Sequence, residues 1–134
     1  MVIIRFGRRS KTQLGSIKWA SNKTTGVKKV LEELYKEFGK DLKELFDDKR
    51  ISVITVSRLY QGEKVPEYVI DSTIAHEMIH YAHGFSSPLK QLYRHPHKGG
   101  VIKKEMYERG MGETWSKAKK WLKKNWGEHV SNIL

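Results

Sequence analysis

There is no cysteine in this chain of 134 residues. A disulfide framework is therefore excluded, and any metal ion must be held by His, Asp or Glu. No apolar run approaches the ~20 residues that a membrane-spanning helix needs, so no membrane partner is expected. The opening Met1-Val2-Ile3-Ile4-Arg5 is too short an apolar segment for a secretory signal and lacks a cleavage-type motif; a cytoplasmic location is the expectation. An internal repeat, a low-complexity tract and an interdomain linker are also missing. Residues 1–134 are accordingly read as a single domain with a modest core.

Acidic residues are absent from one stretch, and that absence shapes the charge. Residues 1–23 hold six basic side chains (Arg5, Arg8, Arg9, Lys11, Lys18, Lys23) and no acid. Residues 27–50 carry seven of each sign, whereas residues 111–134 set five lysines against Glu113 and Glu128. The net charge of +11 thus sits chiefly at the two ends, an electrostatic footprint suited to a polyanion such as DNA. Arg8, Arg9, Lys11, Lys119, Lys120 and Lys123 are the candidate contacts. The plainer reading of the same charges is solubility.

The hydrophobic pattern predicts strands first and helices after them, an α+β chain. Val2–Phe6 and Ser16–Trp19 are short β-rich runs around the basic turn Gly7-Arg8-Arg9-Ser10-Lys11, which suggests a hairpin or paired strands. From Thr24 or Thr25 to Phe46, apolar residues recur at three- and four-residue intervals, the mark of an amphipathic supporting helix. Ile51–Val56 is β-branched almost throughout and reads as a strand buried on both faces. Pro66 fits the first turn of a helix and Gly84 its end, giving a helix over about 66–83. Gly99-Gly100 precede a further helix closed by Gly110 and Gly112, and a last helix runs from Glu113 or Thr114 to Asn125. Trp115, Trp121 and Trp126 either pack its apolar face or stack on nucleic-acid bases between the lysines.

The helix predicted over 66–83 contains His76-Glu77-Met78-Ile79-His80. Histidines four apart lie on one helix face with about 6 Å of axial rise between them, so both imidazoles reach one ion. Glu77 lies about 100° round the helix and can lean over the metal to polarise a water. This is the zinc-peptidase arrangement. A catalytic zinc needs a third protein ligand. His83 falls on nearly the same face but about 10 Å along the axis from His76, too far for comfortable sharing. The metzincin continuation requires a glycine and then a histidine where this chain has His83 and Ser86. The candidates are His95 and His97 in the following loop, or the carboxylates Glu105 and Glu108. Tyr81, Tyr93 and Tyr107 are each a packing residue or a phenol aimed at a tetrahedral oxyanion.

His76-Glu77-Met78-Ile79-His80, then Pro96-His97 and a helix with Lys104-Glu105-Met106, resemble the SprT-like zinc metallopeptidase family. The Arg8–Ile17 stretch, the Ile51 strand and Ala118–Lys124 add to the resemblance; Lys98 and Val101 depart from it. It implies a minimal zincin-like domain, with a small sheet packed on a supporting helix and the motif helix, followed by C-terminal helices. It also implies one catalytic Zn2+ on His76, His80 and His97, with His95 as the alternative third ligand and Glu77 as general base. The expected function is a metalloendopeptidase acting on protein or peptide substrates, with an extension to proteins at DNA. The alternative is a zinc-containing nucleic-acid-binding domain with weak or no peptidase activity.

Overall fold

The Ile51–Val56 run has apolar side chains on both faces, and the fold gives it the position where both are covered. Three strands, β1 (Val2–Phe6), β2 (Gly15–Trp19) and β3 (Ser52–Val56), form one mixed sheet in the order β1-β3-β2. The structure is a computed structural model and describes residues 1–20, 29, 32, 33, 36 and 51–134. β3 runs parallel to β1, from Val2↔Ser52 to Phe6↔Val56, and antiparallel to β2, from Gly15↔Val56 to Trp19↔Ser52. The expected hairpin between the first two strands is therefore corrected: β3 separates them. The reason is burial. Val53, Ile54 and Val56 are all nearly inaccessible, while Ile4 of β1 remains half exposed, so the most apolar strand takes the centre.

Three helices follow: α1 (Glu67–Ala82), α2 (Val101–Glu108) and α3 (Gly112–Ile133). The arrangement is α+β, as expected. The amphipathic helix predicted from Thr24 or Thr25 to Phe46 lies outside the described residues, apart from Lys29, Glu32, Glu33 and Lys36, which are helical and exposed. None of the described helices is long and apolar enough to cross a membrane.

α1 and α3 meet the sheet on the face that carries Ile54 and Val56, and Tyr60, Val65, Val69 and Ala118 complete that core. A smaller cluster of Ile79, Ile102 and Met106 joins α2 to the back of α1. Leu59 and Tyr60, in the 3-10 turn Arg58–Tyr60, are fully buried against the far end of α3. There Tyr60 meets Trp126 edge-on at 5.3 Å, and the His129 ring donates from Nε2 to the Leu59 carbonyl at 2.7 Å.

Those contacts correct the predicted end of the last helix. The apolar stripe fades at Asn125, yet the helix continues to Ile133 because His129 carries on the inward face. A buried polar ring is tolerated there since its N–H is satisfied. Gly112 does not close α2 either. It begins α3, and a Cβ at that position would lie 2.1 Å from Tyr107 Cδ1.

Candidate metal centre and its cleft

α1 presents its C-terminal half to an open cleft, and its ending holds that half in place. Gly84 adopts φ +84, a left-handed conformation that costs other residues roughly 1–2 kcal/mol. Its N–H donates to Tyr81 O at 3.0 Å and that of Phe85 to His80 O at 2.9 Å, the paired bonds of a Schellman cap. A Cβ on Gly84 would lie 2.4 Å from Lys90 O. Only glycine lets the returning loop pass this close. Phe85, turned back by the cap, sets its ring edge-on to His80 at 6.0 Å.

That loop brings His97 over the helix. The Nε2 atoms of His76 and His80 are 3.0 Å apart, those of His76 and His97 3.1 Å, and those of His80 and His97 3.0 Å. Among the described residues this is the set of side chains able to hold a metal ion. Nitrogens on a tetrahedral zinc at about 2.0–2.1 Å are separated by roughly 3.3 Å, so the triangle fits after a shift of a few tenths of an ångström. The chemistry of the donors fits as well. Burial holds His76 down to about 4, with further contributions from the charges of His97 and Lys119. Burial likewise holds His80 at about 4, aided by His76, His97 and His83. Neutral imidazoles whose lone pairs converge repel one another; a cation among them relieves the repulsion.

Glu77 is 6% exposed, and among the described residues its carboxylate has no hydrogen-bond partner. Burial raises its pKa from 4.5 to about 7, the range in which a carboxylate serves best as a general base near neutrality. β2 passes directly over it: a Cβ on Gly15 would sit 2.7 Å from Thr73 Cγ2 and 3.1 Å from Glu77 Oε1. Gly15 was not singled out in the sequence. A glycine inside a strand run is its only signal, and it marks close backbone approach.

The cleft has a volume of about 570 Å³. Thr73, His76, Glu77 and His80 form its floor, and Leu14 with Gly15–Lys18 of the edge strand β2 form one wall. Trp115, Ala118, Lys119 and Leu122 of α3 form the other, with Pro96 and His97 at one end.

Several expectations find other places. His95 is exposed and lies outside the converging set. Glu105 lies outside the converging set: it accepts from His83 Nε2 at 3.0 Å and from Arg109 Nε at 2.8 Å. These two bonds, that of His83 first, hold its carboxyl below the usual range. Glu108 instead lies 3.9 Å from Lys104 Nζ. The axial distance that argued against His83 is matched by its pairing, which ties the end of α1 to α2. Tyr93 packs on the His83 ring at 4.8 Å and Tyr107 on Trp115 at 6.5 Å. Tyr81 borders a separate apolar pocket behind α1. None of the three lines the cleft.

Arg8, Arg9, Lys11, Lys119, Lys120 and Lys123 are all exposed. The Trp126 indole donates to Lys11 O at 2.9 Å, which sets the basic N-terminal loop against the lysine-rich helix. Trp121 and Trp126 pack on the core, as the packing reading expected. Compared with known proteins, the chain matches no family model, no curated protein and no solved structure.

Proposed function

We propose that the protein is a zinc-dependent metalloendopeptidase of SprT-like, minimal zincin type. The observation that carries this reading is the convergence of His76, His80 and His97 beside Glu77, buried and without a partner among the described residues, at the foot of an edge strand. His76, His80 and His97 would hold the ion through Nε2. Zinc, when bound, supplies a Lewis acid that polarises the scissile carbonyl and acidifies a water nucleophile. A substrate chain lies extended along Leu14–Ile17, where an edge strand offers main-chain hydrogen bonds with little side-chain selection. Glu77 then takes a proton from the attacking water and returns it to the leaving amine.

The test is metal analysis of the purified chain together with peptide hydrolysis by Glu77→Gln. The expected result is one zinc per chain in both proteins, with hydrolysis reduced by roughly 10²–10⁴-fold in the variant. A metal-free wild type, or a variant that hydrolyses as fast as wild type, would discard the reading.

The contact of the Arg8–Lys11 loop with α3 favours an extension in which protein substrates are met on DNA. Binding to duplex DNA that weakens steeply with added salt is then expected; binding indifferent to salt would remove the extension.

A further inference from the structure

Among the described residues the cleft is lined by one carboxylate, Glu77, and by two cations, Lys18 of β2 and Lys119 of α3. Lys119 lies on the α3 wall one turn beyond Trp115, with its ammonium 4.3 Å from the centre of the Trp115 ring. That position over an aromatic face holds the charge at the cleft wall rather than letting it sweep through solvent. Among the described residues it has no carboxylate partner. On the opposite wall, Leu14 and β2 residues 15–17 carry no charge, and Lys18 follows them. An extended chain on that strand therefore faces the Lys119 ammonium across the cleft, with the exposed Lys18 further along the strand.

We propose that Lys119 makes the cleft selective for substrates carrying a carboxylate within a few residues of the bond to be cleaved. The proposal rests on the peptidase reading and adds its substrate class. The carboxylate comes from an Asp or Glu side chain or from the C-terminus of the substrate, since both present the same anion to the ammonium. The net charge of +11 works in the same direction by drawing acidic chains to the protein. Lys119 acts on binding and selection and has no part in the proton transfers of Glu77.

The experiment measures binding separately from cleavage. Zinc-loaded full-length Glu77→Gln protein is titrated with short fluorescent peptides in which one Glu is moved along an otherwise neutral sequence. Gln counterparts, and free against amidated C-termini, complete the set. The best-placed Glu peptide is expected to bind about fivefold tighter than its Gln counterpart at low salt, the upper range for a partly exposed ion pair. The advantage should shrink as salt is added. Adding Lys119→Met should abolish it, and Lys119→Arg should keep it.

A preference seen only with free C-termini assigns the anion to the chain end and sustains the proposal. Equal affinities for Glu and Gln peptides, a preference that survives Lys119→Met, or no peptide binding at all overturns it. Wild-type turnover of the same peptides separates the two readings. Hydrolysis without an acidic preference sinks the Lys119 proposal alone. An acidic binding preference without any hydrolysis sinks the peptidase reading and leaves the carboxylate site standing.

Discussion

One turn of α1 separates two polar side chains with opposite fates. Thr73 is closed: its hydroxyl donates to Val69 O at 3.0 Å and meets the Tyr60 hydroxyl at 3.1 Å. Glu77, four residues on, is more deeply buried and among the described residues meets no donor. Two buried histidines repeat the contrast. His129 satisfies Nε2 on a backbone carbonyl, whereas His80 turns Nε2 towards two other imidazoles and, among the described residues, leaves Nδ1 buried without a partner. The Tyr60–His129 side of the molecule obeys the rule that buried polar groups are paired. On the cleft side Glu77 turns its carboxylate to the open cleft and His80 keeps an unpaired Nδ1 among the described residues, and such local departures concentrate where a protein works. Polar burial therefore has two meanings here, and whether the group faces a partner in the core or the open cleft tells them apart.

The largest expected effect concerns the third ligand. His97→Ala should lower zinc affinity by more than the roughly 10–100-fold that losing a group behind a ligand costs, while His95→Ala leaves it unchanged. Competition with a chelating dye reads both, and equal losses would place the third ligand wrongly.

Next is the stability stored at Glu77. Its folded pKa, about 7, lies above the ordinary 4.5. The folded state therefore binds the proton more tightly, and the resulting stabilisation is full below about pH 4.5 and lost as pH rises through about 7. At pH 8 the buried charge costs about 3 kcal/mol relative to the neutral form. Metal-free Glu77→Gln should thus unfold at a higher temperature than wild type at pH 8, with the difference closing towards pH 4.5. A difference independent of pH would show that packing, not charge, sets it.

Gly15→Ala should cost less. The added methyl pushes on Thr73 and Glu77, so turnover should fall about tenfold, less than the roughly hundredfold that a full ångström of misplacement can cost. Zinc content should stay intact, because no ligand is touched. Parallel loss of zinc would mean that β2 supports the helix as a whole rather than the base alone.

The smallest effect is expected at the His83–Glu105 tie. Glu105→Gln keeps the shape and weakens two charge-assisted bonds, so stability should drop by about 1 kcal/mol. Zinc affinity should fall only a few-fold, through the looser hold on the helix that follows His97. Chemical denaturation and the dye competition measure these together, and an unaltered stability would make the tie ornamental.

Much of the site was legible because it is local. The spacing of His76 and His80 needs only the helical repeat, and the helix needs only Pro66, its apolar stripe and Gly84. β1, β2 and β3 were visible as runs of β-branched and aromatic residues, but their order was not, since pairing depends on which strand has most to bury. Tertiary packing decided the rest. His95 and His97 stand two apart in the same loop, and only its path over α1 selects one of them. Glu105 has the composition of a ligand and the position of a tether. Gly15 gains its meaning from a helix that lies far along the chain, and Lys119 from a strand on the opposite wall of the cleft. A repeat of 3.6 residues is written into the chain itself; the distance between two walls exists only after both have packed against the same core.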